Sequence, residues 1–306
     1  MKKILSIIGI CAAIFLGGIF IHQPNAQMAQ TQASSKTIAK EWQRSPDTKG
    51  AEPIEQVTVP VLMYHQIRTK VTAKESHVTP KDFEDQIRTL SKNGYHAITI
   101  QWLYAFLYQH QPLPKKPILI TFDDGYVSNA QYALPVLEKY HFHATIFPIG
   151  NRCEIGDKGD CGRFWLNDRQ LQGLADSGIF DIGSHTFSMH DHVKTVNGEE
   201  ALLVHKKDGE TETDFLQRIQ KDLEHSLSYL QNITGQKVIS LAYPFGEYSD
   251  KSIKAIKRTP IKLAFTTEPG IVTYLSDPYR LPRLTVKGGM SGKQLVEEIQ
   301  AILKKN

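Results

Sequence analysis

Two carboxylates, Asp123 and Asp124, stand side by side in ITFDDGYVSNA, where the apolar run PILITF gives way to glycine. Adjacent like charges repel, so folding alone gives no reason for the pair. Asp-Gly is also ordinary turn chemistry, a reading that would leave Asp123 exposed and idle. Other reactive side chains recur in similar places. IFDIGS runs into HTFSMHDH, with His185, His190 and His192 inside eight residues. His65 follows VPVLMY, and YPFGEY follows KVISLA. A lone histidine in such a position is usually structural, but three facing an acid pair from another segment carry more weight. Acids and imidazoles gathered at one point are what a divalent-metal hydrolytic site requires. His185 and His190 are five apart; on a helix they would diverge by well over a right angle, so they share a metal only if the segment is a turn.

Such a site needs a scaffold that brings these segments together, and the apolar pattern supplies one. Buried-type strands are expected at VPVLMY, HAITI, PILITF, ATIFPI, IFDIGS, KVISLAY and KLAFTT, with a further one at RLTVK. Helices fall between them. The first has Thr79 as N-cap, Pro80 at its first position and Gly94 at its end. Others cover QWLYAFLYQ, SNAQYALPVLEKY and NDRQLQGLADSG. A long one, from about Thr213 to Asn232, carries Phe215, Ile219, Leu223, Leu227 and Leu230 in one stripe, and a last begins near Ser291. Short apolar strands alternating with helices imply a parallel sheet covered by helices. No Gly-rich phosphate loop follows the first strand. The expected fold is therefore α/β, a distorted (β/α) barrel of about seven parallel strands in a single catalytic domain. Chemistry in such barrels gathers at the C-terminal strand ends, where all the residues above stand.

The 306 residues, 41% of them hydrophobic, suffice for one large domain. A net charge of +4, from 36 basic and 32 acidic residues, gives no sign of a nucleic-acid partner. Lys2 and Lys3 precede an apolar run from Ile4 to Ile21 and a polar stretch, the layout of an export signal. The run is also long enough to span a bilayer. Residues 1–26 thus read as a cleaved signal or an uncleaved anchor, 27–56 as a flexible linker and 57–306 as the domain. In either case the domain would lie outside the cytoplasm, secreted or at the cell surface. In that oxidising compartment Cys153 and Cys161, which enclose a Gly-rich loop, are candidates for a disulfide; the alternative is two free thiols. The polar stretch from Val193 to Glu212 reads either as a lid or as a mobile excursion.

TFDDGY together with SHTFSMH resembles the first two signature motifs of the family 4 carbohydrate esterases, the polysaccharide deacetylases. The five-residue histidine spacing, VLMYHQI and AYPFG are similar to the subgroup acting on poly-β-1,6-N-acetylglucosamine. The resemblance covers roughly Pro60 to Val286. It implies metal ligation by Asp124, His185 and His190, with Zn²⁺ as the ion and Ni²⁺ or Co²⁺ as alternatives. It also implies Asp123 as catalytic base and an oxyanion site at Tyr243, Pro244, Phe245 and Gly246, centred on the Phe245 N–H. Two departures stand out. Ala242 replaces the arginine that usually opens the third motif and steadies the base, and no histidine follows His225. The general acid must then come from earlier, with His65 as candidate; a buried, hydrogen-bonding His65 is the other reading.

The activity implied is hydrolysis of linear amide bonds: release of acetate from an extracellular N-acetylglucosamine polymer by a monomeric enzyme, with membrane association through the N-terminal segment open. Trp165, Tyr243 and Tyr248 are candidate sugar-stacking aromatics, although most barrel aromatics pack the core or rim. A peptidoglycan or chitin-type deacetylase shares the same motifs. A non-catalytic polysaccharide-binding or assembly protein would have no use for the base Asp123.

Overall fold

The computed structural model describes residues 46–70, 76–154, 164–195 and 198–304. Ten strands and eight α-helices are set out in chain order among them. The strands are β1 (Val61–Tyr64), β2 (His96–Ala97), β3 (Pro117–Asp124), β4 (Ala144–Pro148), β5 (Phe180–Ile182), β6 (His192–Thr195), β7 (Gly198–Ala201), β8 (Ser240–Ala242), β9 (Leu263–Phe265) and β10 (Leu284–Thr285). The helices are α1 (Pro80–Lys92), α2 (Ile100–Gln109), α3 (Leu134–Tyr140), α4 (Gly150–Glu154), α5 (Asp168–Asp176), α6 (Glu212–Thr234), α7 (Asp250–Ile256) and α8 (Gly292–Leu303).

The main sheet runs β10-β1-β3-β4-β5, all parallel, with β2 paired to the start of β3. A separate parallel pair, β8-β9, is joined to it by single bridges, Ser184 to Leu241 on one side and Phe265 to Leu281 on the other. Those bridges complete the circuit from β5 through β8 and β9 back to β10. The result is a distorted barrel of seven parallel strands, the architecture expected from the alternating pattern. β3 is buried along its whole length, as a central strand covered on both faces must be.

Local sequence accounts for the helix starts. Thr79, Thr99 and Thr211 each accept a backbone N–H three residues on, and Asn167, Ser249 and Ser291 form full capping boxes. Two elements differ from the pattern. HAITI extends only over His96–Ala97, because Thr99 caps α2 at once and draws Ile100 into the helix. The helix expected across SNAQYALPVLEKY begins as a π-turn, Asn129–Ala133, and becomes regular only from Leu134. Pro135 cannot donate to the preceding turn, which favours the wider local winding.

The stretch after the histidine cluster is an antiparallel hairpin, β6-β7, and the chain beyond it is held by α6. Arg218 of α6 donates to both carboxylate oxygens of Glu210 and to the carbonyls of Leu202 and His205, and Leu203 beneath is fully buried. The excursion from Val193 to Glu212 is thus built around a hairpin and pinned to the barrel wall. Among the described residues no helix is long and apolar enough to cross a membrane. The proposed signal or anchor and most of the linker lie outside the described residues, as does Cys161. Cys153 is a free, buried thiol whose pKa burial pushes up to about 12; its candidate disulfide with Cys161 falls outside the described residues. Its sulfur packs under the Gly125 turn, 3.6 Å from where a Cβ on Gly125 would stand, in apolar surroundings that favour the neutral thiol.

Candidate active site

The acid pair sits at the last two positions of β3, in register with Phe147 and Pro148 of β4. Asp124 has a left-handed backbone, φ 71°, and Gly125 continues it at φ 81°. A side chain at Gly125 would place its Cβ 2.8 Å from Pro148 Cβ, so only glycine fits this turn. The turn gives the two acids different partners: Asp123 meets an arginine, and Asp124 meets two histidines.

Asp123 is buried and held by Arg283 in a two-pronged pair, Nη1 to Oδ1 at 2.8 Å and Nη2 to Oδ2 at 2.7 Å. Arg283 is itself 0% exposed; its other donors go to Thr266 O (2.8 Å) and Thr121 Oγ1 (3.2 Å). Burial alone would raise the Asp123 pKa, but the guanidinium charge and hydrogen bonds override it and hold the carboxyl well below the usual range. The arginine missing at Ala242 is therefore supplied from the segment just before β10. Sequence reasoning missed it. RLPRLTVK offered a strand and two arginines, but nothing in that stretch ranks Arg283 above Arg280, which is spent on Asp250 at the surface.

Asp124, His185 and His190 form the other half. Each pair of facing ligand atoms is close: His185 Nε2 and His190 Nε2 both lie 3.5 Å from Asp124 Oδ1, and all three atoms fall within 4.8 Å of one another. His185 Nδ1 lies 2.8 Å from the Ala242 carbonyl. A carbonyl only accepts, so Nδ1 carries the proton and Nε2 presents a lone pair. Burial lowers the pKa of His185 to about 3 and also lowers that of His190, keeping both rings neutral. Asp124 Oδ1 is buried with no hydrogen-bond partner, and burial raises the Asp124 pKa. An orphaned carboxylate oxygen facing two imidazole nitrogens is stabilised by a cation placed among them, so these residues fit a divalent metal. His192 lies apart from the three; its ring packs on Phe245, centroids 4.1 Å apart.

The loop between the histidines is a turn, as their spacing required: Thr186 has φ 67°, and Gly150 N and Asn151 N donate to the carbonyls of Thr186 and Phe187. Pro244–Gly246 forms a short 3-10 turn beyond β8, with Phe245 at φ 60° and Gly246 at φ 76°. Gly246 N is taken by Tyr243 O, while among the described residues the Phe245 N–H has no backbone acceptor. The Phe245 ring is 40% exposed and lies against His190, centroids 4.5 Å apart. Tyr243 is fully buried and donates its hydroxyl to Tyr279 O, so it is core and not a sugar platform. Trp165 is half-buried, stacked on Tyr126 with Arg152 over its ring. Tyr248 donates to Glu268. His65, just past β1, has a buried Nδ1 without a partner, and a positive charge there would lower the pKa of both Asp123 and Asp124.

A cavity of about 720 Å³ opens at the opposite end of the strands, beside His143 and Asp181. Asp181 there accepts the Ile100 N–H at 2.7 Å, a helix-start contact that serves stability.

Residues 110–264 match the family model described as polysaccharide deacetylase. A Bacillus subtilis (strain 168) protein, YxkH, whose name assigns it to the polysaccharide deacetylases, is 31% identical over 99% of this chain and 100% of its own. The poly-β-1,6-N-acetyl-D-glucosamine N-deacetylase of Staphylococcus epidermidis is 30% identical over 74% of this chain and 78% of its own. Among solved structures, the Streptococcus pyogenes deacetylase PplD in complex with acetate superposes with a TM-score of 0.66 at 25% identity, covering 79% of this chain and 97% of that one. The chain belongs to the polysaccharide deacetylase family and is an enzyme of that class. Metal dependence is general in the family, and Asp124, His185 and His190 offer the site for it here.

Proposed function

We propose that this protein removes N-acetyl groups from an extracellular N-acetylglucosamine polymer, poly-β-1,6-N-acetylglucosamine by preference, and does so with a divalent metal held by Asp124, His185 and His190. The observation that carries the reading is the split of the acid pair: one carboxylate turns an oxygen without a hydrogen-bond partner toward two neutral imidazoles, and the other is kept ionised by a buried arginine. The likeness to the Staphylococcus epidermidis deacetylase supports the choice of polymer. Zn²⁺ suits a site of two imidazoles and one carboxylate, and Ni²⁺ or Co²⁺ would be accepted by the same donors.

A bound cation would supply Lewis acidity, polarising the acetyl carbonyl and acidifying the attacking water. The rest falls to the chain's own residues. Asp123, ionised at neutral pH, takes the proton from the water as it attacks. The Phe245 N–H, with no backbone acceptor among the described residues, holds the developing oxyanion; Tyr243, Pro244 and Gly246 fix the turn that aims it. His65 gives a proton to the departing sugar amine. Acetate and a free glucosamine unit are the products. Residues 1–26 act as a signal or anchor and 27–56 as a tether, so the domain works outside the cytoplasm as a monomer, with a polysaccharide and no nucleic acid as its partner.

The polymer is tested by acetate release from defined β-1,6- and β-1,4-linked N-acetylglucosamine oligomers. Faster turnover of the β-1,6 series is expected. A clear preference for the β-1,4 series would move the protein to the peptidoglycan or chitin-type deacetylases, and no release from either would overturn an N-acetylglucosamine polymer as the substrate.

The acid role of His65 has a separate test. His65→Ala is expected to slow amide substrates by roughly 10²-fold or more and to flatten the alkaline limb of the pH profile. An activated acetyl ester, whose leaving group needs no proton, should be largely spared. Equal losses on both substrates, with metal content intact, would mean that His65 only packs or positions.

A further inference from the structure

The histidine-bearing turn is held from outside by a single helix face. Asp222, His225, Ser226 and Tyr229 fall at i, i+3, i+4 and i+7 on α6 and so share one side of it. Each reaches the turn or its flank. The Asp222 carboxylate accepts the Phe187 N–H on Oδ1 and the Ser188 N–H on Oδ2, both at 2.8 Å. His225 stacks on the Phe187 ring with centroids 3.8 Å apart, and Tyr229 meets the same ring edge-on. The Ser226 hydroxyl lies 2.8 Å from that of Ser184, which in turn accepts the Thr186 N–H. Two successive N–H groups converging after a left-handed residue form an anion-binding concavity, and here the anion is a side chain of the next element. On the far side, Gly150 leaves no room to spare, since a Cβ there would meet the Phe187 ring at 2.4 Å.

We propose that Asp222 is a positioning residue for the metal ligands: its two oxygens hold the Phe187–Ser188 backbone so that His185 and His190, on either side, face Asp124 before any ion arrives. A free turn of this length would sample many conformations, and ordering it would be charged against metal affinity. The α6 clamp removes that cost by fixing the turn in the folded, metal-free chain. It also explains how histidines five apart serve one ion. The left-handed Thr186 and the clamped pair after it fold the intervening residues back on themselves. The inference rests on the metal reading above, and the test separates the two.

Asp222→Asn keeps the size of the side chain but replaces one acceptor by a donor, so one of the two N–H groups loses its partner. The Zn²⁺ dissociation constant, read by competition with a chromophoric chelator, is expected to rise about 10–100-fold, the usual effect of losing an outer-shell partner. Far-UV circular dichroism and the melting temperature of the metal-free chain should stay near wild type. Acetate release should recover at saturating Zn²⁺, because no group that touches substrate has been removed. Unchanged Zn²⁺ affinity in a folded variant would overturn the proposal. So would a metal-free chain that melts far below wild type, since Asp222 would then support the fold at large. Should Asp222→Asn not fold, Asp222→Ser, which keeps one acceptor at a half-buried helix position, is read against the same outcomes. A wild-type chain that binds no metal at all would instead overturn the metal reading, and the clamp with it.

Discussion

Asp123→Asn is expected to bind metal as well as the wild-type protein and to lose about 10²–10⁴-fold in acetate release, the usual share of a general base. The carboxamide has no basic oxygen for the water's proton. The candidate ligand atoms, Asp124 Oδ1 and the two Nε2 nitrogens, belong to other residues and are untouched. The variant also leaves Arg283 facing one acceptor where it had two, so it should be assayed at a temperature where circular dichroism shows it folded. Activity close to wild type would reduce Asp123 to the counter-ion of Arg283.

The second large effect concerns that arginine. Arg283→Met is expected to destabilise the metal-free chain by about 3–5 kcal/mol, because it strands a buried carboxylate without its partner. The pH dependence follows from the sign of the shift. In the wild-type protein the Asp123 pKa is depressed by Arg283, so its contribution is complete above the unfolded carboxylate value of about 3.9 and is lost only as pH falls through the lower folded value. Without Arg283, burial remains as the dominant influence and the folded pKa moves above the unfolded one. The contribution then exists below the unfolded value and is lost as pH rises through the folded one. The stability deficit of Arg283→Met should therefore shrink between pH 7 and pH 5 in urea unfolding, and the acid limb of its activity should move to higher pH. Asp123→Asn combined with Arg283→Met should recover part of the lost stability, since no buried charge is left unpaired. A constant deficit across this range would mean that the pair does not control the ionisation of Asp123.

Much of this was legible from the residues because it depends on local pattern. The strand ends that carry Asp123, Asp124, His185, His190 and His65 follow from short apolar runs alternating with helices, and the caps at Thr79 and Ser291 mark their helices in sequence. The turn between the histidines follows from their spacing once the two are taken to share a metal. What escaped detection depends on contacts between distant segments. Arg283 and Asp123 are 160 residues apart and meet only when β10 closes beside β1 and β3. Asp222 reads as one more polar position on an amphipathic helix until α6 packs against the turn. Tyr243 has the composition of a sugar platform, and only its burial and its bond to Tyr279 O make it core. The hairpin after His190 was hidden because its strands are mostly polar and half-exposed, and the stretch after it is held by Arg218 and the buried Leu203.

The most direct measurement is acetate release from a β-1,6-linked N-acetylglucosamine oligomer by the wild-type protein, stripped of metal by chelation and then titrated with Zn²⁺. The expected result is no detectable release from the stripped protein and recovery that saturates at one equivalent. Undiminished release from the metal-free chain, or recovery that saturates at one equivalent equally well in His190→Ala, would contradict the assignment of Asp124, His185 and His190 as the metal site of this deacetylase.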